Sequence, residues 1–305
     1  TIMYMGKLGM KYMSKALLLF VLLLMTDRGV GYGLKWMYFN QKGEDFYYTT
    51  KALDKQTADL VILGSSRARN HYNPEILQDS LGISCYNAGR SGCFLVYQRA
   101  QLDLILDRYT PKAIVLEVTP YDMTVGEGDY DRLSGLLPYQ HHASWQKVIS
   151  IKSPWEKYKC WSAIYPYNSK FFKMVKNLKD RGVFHANGFQ PLEGFLKEEK
   201  KGIYKYSVAI DGRKVEAMEY IIEVCKTKQI MLTMVTSPMY ADVVETKSLV
   251  ITDSLCKRNN IPYYSFLNQA VYDNQKLFHT IDHLNSTGAD KFSREIAQLL
   301  KNNFN

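Results

Sequence analysis

No cysteine pair in this chain is spaced as CxxC, and no cysteine or histidine group has the spacing of a zinc site. Cys85, Cys93, Cys160, Cys225 and Cys256 are five, an odd number that forbids a fully paired disulfide framework; buried thiols are expected, and cysteine usage leaves the compartment open. The adjacent His141-His142 reads as an exposed loop pair, so no metal is expected, and nothing calls for a cofactor. The chain has no internal repeat, no low-complexity tract and no nucleic-acid-binding module. Its formal net charge is +9, with lysine dense between Lys152 and Lys214, but the basic residues form no compact run. That pattern reads as a solvated basic face, suited to an anionic polymer or a phospholipid surface, and nucleic acid is not expected as a partner. The remainder is ordinary globular composition: 46% hydrophobic and 23% charged over 305 residues, enough for one α/β domain with a large insertion.

Long apolar runs are scarce, which makes the one near the start informative. Lys7, Lys11 and Lys15 precede Ala16 to Met25, the charged-then-apolar order of an export signal. Ten residues are too few to span a bilayer, which takes about 20. Continuing through Val30 and Leu34 reaches that length only by including Asp27 and Arg28. A retained signal-anchor over 1–35 is the leading reading, with a cleaved signal and a buried core helix as the others. In the first two cases the positive flank stays inside and residues 36–305 lie outside the cytoplasm.

From Leu60 the pattern alternates strand and helix. Leu60-Val61-Ile62-Leu63 ends at Gly64 and reads as a buried parallel strand. Asn73 caps a helix with Pro74 at its first position. Ser84–Tyr86 and Ala113–Val118 give two more strands around a helix near Phe94–Leu106. The alternation resumes with a helix at Val215–Cys225, a strand at Ile230–Val235, a helix at Val243–Cys256, a strand at Ile261–Phe266 and a last helix from Ser286 or Thr287. Five strands alternating with helices predict a parallel sheet covered on both faces. Residues 123–212, rich in aromatics and lysine, break the pattern and are expected to form a helical insertion or lid. Tyr165, Tyr167, Phe171 and Phe172 there either stack on sugar rings or pack the insertion itself.

In an open parallel sheet, ligands bind at the edge where the loops after the strands emerge. That edge should carry Gly64-Ser65-Ser66-Arg67, Asn87-Ala88-Gly89, Tyr121-Asp122, Thr236-Ser237-Pro238 and Asp282-His283-Leu284-Asn285. A serine needs a base within hydrogen-bond reach to act as a nucleophile, and His283 is the candidate. A serine at a helix mouth also sits beside N–H groups able to hold an oxyanion. Arg67 and Arg69 either hold an anionic group or form salt bridges.

These motifs, in this order and spacing, resemble the SGNH (GDSL-like) hydrolase superfamily, and most closely its membrane-anchored bacterial branch related to cell-surface polymer acylation. The likeness covers Leu60–Val118 and Met231–Leu300 and leaves the insertion unaccounted for. It implies a flavodoxin-like three-layer α/β/α fold, with Ser66 as nucleophile, His283 as base, and an oxyanion hole of Ser66, Gly89 and Asn87. The implied activity is an esterase or O-acyltransferase working through a Ser66 acyl-enzyme on an acylated cell-surface carbohydrate or polymer. The other reading is a non-catalytic fold that binds polysaccharide or assists an acylation complex. Two positions depart from the family. Tyr121-Asp122 stands where Gly-x-Asn belongs and, with Arg67 and Arg69, is a candidate for substrate binding. Thr280 occupies the place of the acid three residues before the histidine. Asp282 is the nearest carboxylate, with a bare Ser66–His283 dyad or Asp122 as alternatives. Neighbouring side chains in an extended segment point opposite ways, so Asp282 requires a tightly turned loop.

Overall fold

The computed structural model describes residues 2–126, 128–179, 187–197, 201–204 and 209–304. The chain opens with α1 (Ile2–Phe39), one uninterrupted helix in which the Ala16–Met25 run is a middle segment. Met10–Phe39 contains an 18-residue stretch with a mean hydropathy of 1.6 and is long and apolar enough to cross a membrane. α2 (Glu44–Thr50) and a single π-turn at Lys51–Lys55 lead into β1 (Leu60–Leu63). Then come α3 (Ser66–His71), α4 (Pro74–Leu81), β2 (Cys85–Asn87), α5 (Leu95–Leu106) and β3 (Ala113–Glu117). As the sequence indicates, Asn73 caps α4 by accepting from the Glu75 N–H, and Gly82 closes it in the left-handed region.

The insertion holds α6 (Trp145–Ser150), α7 (Glu156–Lys159), α8 (Phe171–Lys179) and β4 (Gly202–Tyr204). Residues 127, 180–186, 198–200 and 205–208 of that stretch lie outside the described residues. α9 (Gly212–Thr227), β5 (Met231–Thr236), β6 (Ala241–Val243), α10 (Lys247–Asn259) and β7 (Tyr263–Ser265) resume the alternation. A small hairpin of β8 (Phe278–Thr280) and β9 (His283–Leu284) precedes α11 (Ser286–Phe304). Val243 belongs to a strand and not to the next helix: β6 pairs with β4, and α10 begins only where the Thr246 side chain caps it. All five cysteines are buried and unpaired.

The main sheet is parallel, in the order β2-β1-β3-β5-β7. Period-two alternation sends its side chains into two separate cores. Val61, Leu63, Ile114, Leu116, Leu232 and Met234 face one, closed by α5, α9 and α10. Leu60, Ile62, Ala113, Val115 and Val235 face the other, closed by α4 and α11 through Leu77, Phe292, Ile296 and Leu300. This is the expected three-layer α/β/α arrangement. The insertion joins the first core: Leu133, Leu136, Tyr139, Trp145, Val148 and Met174 pack there with Leu34 and Tyr38 of α1. At roughly 1.5–3 kcal/mol for each fully buried large apolar side chain, that packing fixes the insertion to the sheet domain and to α1.

Candidate active site

Gly64 leaves β1 with φ +151°, where a Cβ would meet the Ala68 and Glu117 side chains at 2.7 and 2.8 Å. Glycine therefore permits the sharp exit that places Ser66 at the first position of α3. Ser66 Oγ lies 2.8 Å from His283 Nε2. On the other side of the ring, His283 Nδ1 is 2.9 Å from Asp282 Oδ1 and 2.9 Å from Thr280 Oγ1. Thr280 Oγ1 is also 2.8 Å from Asp282 Oδ1. Asp282 reaches its own neighbour because β8 and β9 pair with a register irregularity between Phe278 and Thr280, so the turn is far from extended. Burial raises the Asp282 pKa, but the bonds from His283 and Thr280 and the nearby Arg67 charge outweigh it, holding the carboxyl at about 2.

Beneath the serine lies a buried polar network absent from the sequence reading. Arg67 is wholly enclosed; its Nε is 3.2 Å from Glu117 Oε1 and 3.1 Å from Ser237 Oγ. Glu117 accepts from Ser237 N and Oγ at 3.1 and 2.6 Å, and from the Tyr72 hydroxyl. His71 Nε2 accepts the Leu284 N–H at 3.0 Å. Its Nδ1 must then carry the proton and donate to Ser237 Oγ at 2.8 Å. Burial, aided by Arg67 and His283, pushes the His71 pKa well below the usual histidine range and keeps it neutral. The network joins α3, β3, the loop after β5 and the strand that carries His283. Glu117, closing the apolar run Ala113-Ile114-Val115-Leu116, was the sequence signal: a carboxylate on a buried strand needs a partner.

Several expected site residues do other work. Arg67 is engaged by Glu117, Ser237 and the Pro238 carbonyl and faces no substrate. Arg69 is buried against Asp45 at 2.7 Å, and Asp45 also holds Arg90 and Lys173 at 2.8 and 2.6 Å. Asp122 is buried and accepts from Thr119 N and Oγ1 at 2.9 and 2.7 Å; burial raises its pKa to about 7, and it is not the partner of His283. Tyr121 is half-buried, 6.0 Å from Phe94. The Asn87 side chain is spent on its own surroundings, donating to the Ala68 and Tyr72 carbonyls and accepting the Gly89 N–H at 2.9 Å. Gly89 is required instead for packing, since a Cβ would lie 2.5 Å from Arg69 N. In this arrangement the Asn87 side-chain amide and the Gly89 N–H are both engaged locally, so neither is free for an oxyanion beside Ser66. The start of α3, with Ser66 N–H, is the remaining candidate oxyanion donor, because the first N–H groups of a helix have no acceptor within it.

Tyr167 is buried in the core beside Tyr38, whereas Phe172 is exposed. Away from Ser66, His141 and His142 converge on Asp54 Oδ1 at 3.0 and 2.8 Å, and their donor atoms lie within 4.8 Å of one another. His142 is thus buried and not part of an exposed pair.

No family model and no curated protein matches this chain. Two solved structures are similar to it at low identity. One is of a proposed lipolytic protein of the G-D-S-L family from Desulfitobacterium hafniense DCB-2, with 10% identity, a TM-score of 0.39, and coverage of 79% of this chain and 98% of that one. The other is of a proposed acylhydrolase from Bacteroides fragilis NCTC 9343, with 12% identity, a TM-score of 0.39, and coverage of 86% and 100%. These likenesses are remote. The chemistry of the site rests on the strand order and the Ser66 geometry.

Proposed function

We propose that this chain is a membrane-anchored serine esterase or O-acyltransferase of the SGNH type, acting outside the cytoplasm on an acylated cell-surface glycan. The observation that carries the chemistry is Ser66 Oγ at 2.8 Å from His283 Nε2, with Asp282 on the opposite ring nitrogen. An ionised Asp282 keeps the proton on Nδ1 and leaves the Nε2 lone pair facing the serine hydroxyl. As Ser66 Oγ bonds to the ester carbonyl carbon, its proton passes to Nε2, and the resulting imidazolium is stabilised by Asp282. Nε2 then protonates the departing alkoxide as the ester C–O bond breaks, leaving an acyl-Ser66 ester. Water, or a glycan hydroxyl, attacks that ester while giving its proton to His283; the Ser66 oxygen leaves and takes the proton back. The glycan substrate and the location rest on the family resemblance, the basic surface and the apolar α1.

The accessory, non-catalytic reading is favoured by one observation, the Gly89 N–H turned onto Asn87. A fluorophosphonate probe separates the two readings. The intact chain should be labelled at Ser66, and Ser66→Ala should remain unlabelled with its thermal melt nearly unchanged. A folded wild-type chain that takes no label would leave the accessory reading standing.

A further inference from the structure

The insertion presents an aromatic face beside α1 that the proposed chemistry does not use. Trp155, Tyr158 and Trp161 follow one another at three-residue intervals, with ring centroids 5.8 Å apart at each step. Trp155 and Trp161 are 66% and 73% exposed. Indole rings left that open on either side of a tyrosine are uncommon on a surface meant only for water, and Trp and Tyr concentrate at membrane interfaces, where an apolar body and a polar edge are both satisfied. Lys157 Nζ stands 4.9 Å from the Tyr158 ring.

The position of this face relative to α1 is fixed by specific contacts. Asp27 accepts from Ser162 Oγ and Ala163 N at 2.5 and 2.8 Å, and Arg28 Nη1 donates to the Trp161 carbonyl at 2.7 Å. Gly31 lies directly against Ala163, where a Cβ would come within 2.4 Å of the Ala163 Cβ. Arg28 is three residues beyond Met25, so at 1.5 Å per residue the Trp161 contact sits about 5 Å along the axis from the end of the apolar run. A bilayer takes about 20 residues of helix. If the span ends at Met25, Trp161 is at headgroup level; if it begins at Ala16, it ends near Lys35 and Trp161 lies within the same leaflet. Both placements bring this edge of the insertion to the depth of the headgroups or below.

Two cavities complete the surface. One, of about 400 Å³, lies between α1 and the insertion and is lined by Arg28, Tyr32, Lys35 and Tyr167. The other, of about 500 Å³, includes Lys157, Tyr158 and Trp161 in its wall. Cations above apolar walls at this depth match a phosphodiester headgroup with its first acyl carbons.

We infer that α7 and its flanks form a second membrane contact, in which Trp155 and Trp161 enter the headgroup zone and Arg28, Lys35 and Lys157 receive phospholipid phosphates. This inference rests on reading α1 as an anchor. The test uses the full chain in nanodiscs of phosphatidylcholine and phosphatidylglycerol, carrying phosphatidylcholine spin-labelled near the headgroup. In a Trp36→Phe background the tryptophan emission should be strongly quenched by the labelled lipid. Adding Trp155→Phe and Trp161→Phe should remove more than half of the lipid-quenchable emission, leaving the buried Trp145. Native mass spectrometry should find phospholipid retained by the wild type and at least halved in Lys35→Glu/Lys157→Glu. A chain that enters the discs but is quenched only by aqueous acrylamide overturns the second contact alone. A chain that does not enter the discs overturns the anchor, and the contact with it.

Discussion

Thr280 stands where a catalytic acid is expected, yet its hydroxyl touches both the carboxylate and the ring that such an acid would serve. On the proposed chemistry it fixes Asp282, and Asp282 supplies the charge. In serine proteases, disabling the carboxylate costs about 10⁴-fold in rate. Asp282→Asn should accordingly lower ester turnover by about 10²–10⁴-fold, and Thr280→Val by about tenfold, the worth of one hydrogen bond. Steady-state hydrolysis of a p-nitrophenyl ester measures both; a larger loss in Thr280→Val would reverse the assignment. Asp122 carries a different signature. The folded state keeps its proton up to about pH 7, whereas the unfolded chain releases it near its ordinary value of 3.8. Between those limits the folded state binds more protons, so this group makes stability fall as pH rises from about 4 to 7, on the order of a few kcal/mol in total. Urea unfolding of Asp122→Asn across that window should show a flatter dependence than the wild type.

The buried pair Arg67–Glu117 ties the start of α3 to β3, and Ser237 and His71 extend the tie to the loops after β5 and before α11. Removing one partner strands a charge, a loss of about 3–5 kcal/mol, while replacing both by apolar residues restores most of it. Arg67→Met should therefore be markedly less stable in urea than Arg67→Met/Glu117→Leu; equal losses would mean the pair is not the source. Legibility in the sequence tracks the range of the forces involved. Periods of two and of 3.6 residues are local, so the five strands and the helices around them could be read directly. The Asn73 cap and the placing of Ser66 and His283 on one edge came from the same rules. Glu117 at the end of a buried strand announces that a partner is needed, but no local pattern says that the partner is Arg67, fifty positions away. Asn87 and Gly89 are ambiguous in sequence for a related reason: the same residues that can hold an oxyanion can also close a turn, and here the Asn87 side chain accepts the glycine N–H itself. The β8–β9 irregularity that brings Asp282 to its neighbour is equally invisible to an alternation rule.

As a whole molecule, the chain is a sheet domain clamped to a long apolar helix through Leu34, Tyr38 and the Asp27–Ala163 contact. Full-length protein is expected to stay with membranes through an alkaline carbonate wash, and protease added to intact cells stripped of their outer layers should remove the domain. Recovery in the soluble cytoplasmic fraction would refute the placement. Ser66 and His283 stand 217 positions apart, the nucleophile early and the base late. A chain made from its N-terminus completes α1 first and Ser66 soon after, but the imidazole that the proposed chemistry pairs with it only once β1–β8 have all been made. On that chemistry the serine stays an ordinary alcohol until then. Chain order would thus time the proposed reactivity: it arises only when the last hairpin folds back over α3.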